Sequence, residues 1–224
     1  MALAAFSQPY AKEGIFTCKI RKRILCACLA LALMLTGPFC RGIPAQADSI
    51  EPRLANGYYW PNTPRTVYLN VSALPASYQT AAEAAMDTWN EVKSLSNQSM
   101  VIFRPNTAPT GAAGSIIHMG TLGFDFIGYI VFSPPGGPEL TAVEILLCSD
   151  KSFTVGANPG AYDVESIVLH ELGHALGIKH CHEEGETCFS PTCAINVMNY
   201  YFEQNETRRN LTAYDRSSYQ TIYS

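Results

Sequence analysis

Apolar and polar residues alternate over residues 66–71, Thr-Val-Tyr-Leu-Asn-Val, as in a half-buried strand. Residues 77–95 change to helical spacing. Ala81, Ala85, Met86, Trp89 and Val92 make one apolar stripe there, and Ser77 stands where a cap is expected. Short apolar runs at residues 100–103, 115–119, 127–132 and 141–148 predict further strands. Pro105 stops the first, a Gly/Pro/Thr-rich loop at residues 106–114 precedes the second, and a Pro/Gly cluster at residues 134–138 ends the third. Helical spacing returns behind a capping Asp163, with Val164, Ile167, Val168, Leu172 and Leu176 on one face, and again over residues 212–223. Residues 48–64 read as an extended lead-in, and no internal repeat is visible.

The first 47 residues carry a different pattern. Lys19, Arg21, Lys22 and Arg23 precede an uncharged apolar run at residues 24–36, which Gly37-Pro38 breaks. Ala45-Gln46-Ala47 fits a small-x-small cleavage site. Residues 1–47 therefore read as a secretory signal peptide and residues 48–224 as one domain, secreted once the leader is cut after Ala47. The apolar run has 13 residues, short of a bilayer span, and no other segment is apolar enough for one.

Removing that leader changes the charge. The chain has 15 basic and 19 acidic side chains; the leader takes 6 and 1, leaving 9 and 18, a net charge of −9. This argues against a nucleic-acid partner or an anionic membrane surface. The cysteines divide too: of 8, Cys148, Cys181, Cys188 and Cys193 lie in the domain. In an exported domain they predict two disulfides, with three connectivities open. A cysteine-based zinc site is the alternative, but the spacings fit no common ribbon or finger. Asn70, Asn97, Asn205 and Asn210 head glycosylation sequons, which matter only in a eukaryotic secretory route.

The strongest chemical signal is His170-Glu171-Leu172-Gly173-His174-Ala175-Leu176-Gly177-Ile178-Lys179-His180. Histidines four apart share a helix face. Gly177 lets the chain leave the helix, and His180 returns as a third ligand. Three protein ligands leave a fourth position open, the mark of a catalytic rather than a structural zinc. Glu171 is placed to act as general base.

This motif resembles that of the metzincin zinc peptidases, HExxHxxGxxH. Asn196-Val197-Met198-Asn199-Tyr200 is similar to the family's Met-turn, with Met198 beneath the metal and Tyr200 at the offset of a tyrosine near zinc in the astacin-like and serralysin-like branches. Trp60, Tyr68, the Met86-Asp87-Thr88-Trp89 run and Leu211-Thr212-Ala213-Tyr214-Asp215 look matrixin-like. The resemblance covers most of residues 58–224. It implies an α+β zincin: a twisted mixed β-sheet with an N-terminal helix, an active-site helix and a C-terminal helix. It also implies a secreted zinc endopeptidase acting on polypeptides, with Asp215 fastening the last helix to the motif region. We expect a monomer, with the strand at residues 141–148 as the edge that pairs with substrate.

The chain departs from that family in several places. Cys181 replaces the serine after the third histidine, and the segment from His180 to Met198 is longer, as in a disulfide-pinned insertion. The Phe124-Asp125-Phe126-Ile127-Gly128 segment resembles a loop that binds a second zinc and calcium, but it lacks histidines, and His118 alone would not make that site. We therefore expect no second zinc and leave calcium open. Pro38-Phe39-Cys40-Arg41-Gly42 has a passing likeness to the matrixin latency motif but lacks its acid and lies inside the leader. His182, Glu183, Glu184 and Glu186 read as a solvated loop. Two other classes compete: a secreted zinc-binding recognition module or pseudo-enzyme, and a zinc hydrolase acting on a non-peptide substrate.

Overall fold

The structure, a computed structural model, describes residues 14–17, 57–106, 114–121, 125–135, 137–182 and 193–224. The described strands are β1 (Gly14–Thr17), β2 (Arg65–Asn70), β3 (Val101–Asn106), β4 (Ser115–Gly120), β5 (Phe126–Ser133), β6 (Ala142–Cys148), β7 (Phe153–Thr154), β8 (Tyr162–Asp163) and β9 (Tyr201–Phe202). The helices are α1 (Ala76–Asn90), α2 (Val164–Ala175) and α3 (Ala213–Ile222), with a 3-10 turn at Cys193–Ile195. The fold is α+β.

Seven strands form one mixed sheet in the order β3-β2-β4-β6-β5-β1-β9, and β7 pairs with β8 apart from it. β2 is parallel to β3 and β4, and β4 is parallel to β6. β5 reverses direction against β6. The alternation in β2 works as expected: Val67 and Leu69 are buried while Tyr68 is exposed. β6 is hydrogen-bonded on both sides, so the expectation that it is the substrate-pairing edge is corrected. β5 and not β6 is the last of the consecutively packed domain strands on that side.

Three further local readings change. α1 starts at Ala76 behind Pro75, without a side-chain cap, so Ser77 lies inside the first turn. It ends at Asn90, whose side chain donates to the Phe103 carbonyl and accepts from the Phe103 amide, fastening the helix end to β3. β3 runs through Pro105, because β3 is an edge strand and a missing amide is tolerated there. The segment compared to a second-zinc loop supplies the first residues of β5 instead.

α1 and α2 pack together and onto the sheet. The Trp89 indole N–H crosses between them and donates to the Leu169 carbonyl at 2.8 Å. Trp89 is fully buried. Removing an aromatic of this size from a core costs about 3–5 kcal/mol, so this contact anchors the helix pair. Trp60 makes the equivalent bond to the Ala175 carbonyl, at 2.8 Å. Two indoles thus hold α2, the helix that carries the motif. No described helix is long and apolar enough to cross a membrane.

Candidate active site

α2 is fixed at both ends. Asp163 caps its first turn by accepting from the Ser166 amide at 3.2 Å. The same carboxylate receives a two-pronged bond from Arg209, at 2.9 Å from Nε and 2.6 Å from Nη2. Burial pushes Asp163 up, but the bonds from Arg209, Ser166 and the Gly156 amide outweigh it and hold the carboxyl below its ordinary value. At the other end the Gly177 amide donates to the His174 carbonyl and the Ile178 amide to the Gly173 carbonyl. This is the Schellman arrangement, and Gly177 takes the positive φ it needs, 83°. A β-carbon there would also sit 2.3 Å from the Tyr58 carbonyl oxygen.

That turn delivers His180 to the pair already on the helix. The Nε2 atoms of His170 and His174 are 3.0 Å apart, and each lies 3.1 Å from Nε2 of His180. His170 Nδ1 lies 2.7 Å from the Val197 carbonyl, and His174 Nδ1 lies 2.7 Å from the Ile178 carbonyl. A carbonyl only accepts, so Nδ1 carries the proton in both rings and Nε2 presents a lone pair. Three buried imidazoles turn their second nitrogens toward one point, which fits a cation held by nitrogen donors. Burial first, then the neighbouring histidines, holds His170 and His180 well below the usual histidine range, in the neutral form that ligates.

The segment read as a Met-turn packs against α2 beside this cluster. Met198 is fully buried, and its sulfur packs against the α-carbon of Gly173, where a β-carbon would meet Sδ at 2.2 Å. The Met198 carbonyl accepts from the Cys181 amide at 2.8 Å. Asp215, also fully buried, accepts from the Val197 and Met198 amides at 3.2 and 3.3 Å. It also caps α3 with Thr212. The Tyr200 ring stands edge-on to His180, with centroids 4.9 Å apart. Glu171 is fully buried in α2, facing Gly128 of β5.

Two site residues had no signal of their own in the sequence. A β-carbon at Gly128 would lie 2.6 Å from Glu171 Oε1, and one at Gly173 would strike Met198. Each glycine is demanded by a partner distant in sequence. Arg209 is a third residue of this kind, since its partner Asp163 lies far back in the chain. Its only sequence hint is a basic residue ahead of the last helix.

The cysteines correct the two-disulfide expectation. Cys148 is a free thiol, fully buried at the end of β6, where it packs as a small apolar group. Cys181 is also a free thiol, and burial pushes it up to about 11. Cys193 is disulfide-bonded to a partner outside the described residues, and Cys188 itself lies outside them. His182 is buried, with Nδ1 3.4 Å from the sulfurs of Cys181 and Cys193, so it is not part of a solvated loop. Glu183, Glu184, Glu186 and residues 18–56, including the latency-like segment, lie outside the described residues. His118 lies in β4, 2.7 Å from Glu144. Asn70 is buried and accepts from the Ser72 amide, so its sequon is closed to modification in the folded chain.

Comparison with known proteins agrees with this chemistry. The family model of the matrixin peptidases matches residues 128–224, which contain the three histidines, Glu171 and Met198. The matched stretch resembles a matrixin-type metallopeptidase and spans less than half of the chain. The matrixin family implies zinc, and the histidine cluster is compatible with it. The chain matches no curated protein in sequence. Among solved structures it is similar to myroilysin, with 14% identity, a TM-score of 0.45 and coverage of 76% of this chain and 97% of that one. It is also similar to metalloproteinase-II from Bacteroides fragilis, with 15% identity, a TM-score of 0.36 and coverage of 76% and 56%.

Proposed function

We propose that the protein is a zinc-dependent endopeptidase with Glu171 as its general base. The observation that carries this reading is the convergence of three buried imidazole nitrogens, two of them on the helix that also carries the Glu171 carboxylate. His170, His174 and His180 would hold the metal. When bound, zinc supplies Lewis acidity to a carbonyl and lowers the pKa of water toward about 7.

The remaining steps belong to the chain's own groups. The carbonyls of Val197 and Ile178 keep the protons of His170 and His174 on Nδ1, so neither ring turns its N–H into the cluster. A Glu171 carboxylate oxygen takes a proton from the attacking water and passes it to the nitrogen of the departing amine. Met198 closes the floor and excludes water from below. Tyr200, against His180, is assigned to the developing oxyanion. The leader at residues 1–47 supports a secreted protein, with polypeptides as substrates.

Glu171→Ala tests this. Zinc content should stay at one ion per chain while cleavage of a casein-type substrate falls by about a thousandfold or more. Cleavage at the parent rate would sink the mechanism. Stoichiometric zinc without turnover on any peptide library would favour a recognition module.

A further inference from the structure

Two sulfurs and one imidazole crowd together just beyond the third histidine. Cys181 follows His180, and its amide donates to the Met198 carbonyl at 2.8 Å. Cys193 opens the 3-10 turn at Cys193–Ile195. Their sulfurs lie 2.7 Å apart, and Nδ1 of His182 lies 3.4 Å from each. All three residues are buried. Two amide side chains accompany the sulfurs. Asn196 is fully buried and lies beside the Cys181 sulfur, and neither of its side-chain atoms has a hydrogen-bond partner of ordinary geometry among the described residues. The Asn199 amide nitrogen donates to the Cys193 carbonyl at 2.8 Å and lies 4.0 Å from the Cys193 sulfur. His182 and Cys193 also line a cavity of about 640 Å³, which offers a way in and room for water.

We propose that Cys181, His182 and Cys193 form a second, sulfur-rich metal site, which opens on reduction of the Cys193 disulfide and takes a thiophilic divalent cation such as zinc. It shares no ligand with His170, His174 and His180 and does not rest on the peptidase reading. Two thiolates and an imidazole are donors that zinc accepts readily, and neighbouring amides steady such thiolates. Cys193 is disulfide-bonded, which withholds its sulfur from a metal. A dithiol reductant breaks that S–S bond. It supplies two electrons and two protons, leaves two thiols on the protein and closes to a disulfide itself. The cation then displaces one proton from Cys181 and one from Cys193 into solvent. Zinc–sulfur bonds of about 2.3 Å spread the two sulfurs beyond their present contact. The bound ion would tie the residue after the third histidine to the turn that leads into Met198.

The test titrates cobalt(II) and zinc into the full chain, untreated or reduced with a dithiol and desalted without air. Metal content should rise from about one ion per chain before reduction to about two after it. The second cobalt should bring the near-ultraviolet charge-transfer band of a thiolate ligand, which an all-imidazole site does not give. Zinc-edge absorption on the reduced parent should add a sulfur shell at about 2.3 Å. Cys181→Ser and His182→Gln, made separately so that the result does not hang on one variant's folding, should each return the reduced chain to one ion. Reduction with no second ion and no band would overturn the site. A band that persists in both variants would place the metal on other cysteines and overturn the assignment. A band already present before reduction would overturn the redox gate. Absence of hydrolysis in every form would bear on the peptidase reading alone, because metal content and the band are read without turnover.

Discussion

Gly128 approaches Glu171 so closely that a β-carbon at position 128 would lie 2.6 Å from the carboxylate oxygen Oε1. The strand backbone and the carboxylate proposed as general base therefore share a space that admits no side chain. Gly128→Ala should displace the Glu171 carboxylate, since the neighbouring Ile167 methyl, 2.8 Å from that same β-carbon, blocks the other way out. We expect kcat to fall by about tenfold or more, with zinc content unchanged. Parent-level kcat by steady-state assay would show that the carboxylate has room this packing denies it.

Gly173 and Met198 make a second such pair, on the opposite side of α2. Gly173→Ala should destabilise the fold by about 1–3 kcal/mol through overpacking. Met198→Ala alone leaves a cavity. Together the two changes should cost less than their sum by about 1 kcal/mol or more, as urea denaturation of the four forms of the cycle would reveal. Strict additivity would mean that the two side chains do not meet.

The Asp163–Arg209 pair sets an acid limit on the helix cap. Asp163 titrates below its ordinary value, so its contribution is present above the unfolded pKa and is lost as pH falls through the folded one. Arg209→Ala should cost about 2–3 kcal/mol at pH 7 by leaving a buried carboxylate short of its charge partner. The gap between parent and variant should shrink as pH falls through the depressed pKa of Asp163 and the carboxyl takes up a proton. A gap that stays the same size from neutral pH down to the acid limit of folding would refute the assignment.

Cys148 and Cys181 should resist alkylation in the native state, since both are buried and burial holds the Cys181 thiol up near 11. Peptide mapping after iodoacetamide should find both labelled only after unfolding. Cys193 should be labelled only after reduction as well. Rapid native labelling of Cys181 would contradict its burial beside the third histidine.

Much of this architecture is legible in local sequence. Asp163 caps α2, the Val67/Leu69 alternation faces the core, and Gly177 ends the motif helix, because each depends on residues within a turn or two. Spacing alone also brings His170, His174 and His180 together. The rest depends on partners far along the chain. Nothing beside Gly128 or Gly173 announces a carboxylate or a sulfur pressing on the α-carbon. The indole of Trp89 reads as core, although its N–H goes to the Leu169 carbonyl. Ser77 resembles a cap, but the chain enters α1 one turn position earlier, behind Pro75. The strand at residues 14–17 precedes an export-like apolar run, and composition gives no reason to place it in a sheet.

Asp215 holds the backbone of Val197 and Met198 from the first turn of α3, and Tyr219 on the same helix accepts the amides of Met100 and Val101. Synthesis runs from the amino end, so every histidine, Glu171 and Met198 leave the ribosome before the two side chains of α3 that brace this region. A partly made chain has the ligands but not the buttress. The brace on the Val197–Met198 backbone is therefore complete only once α3 has been made.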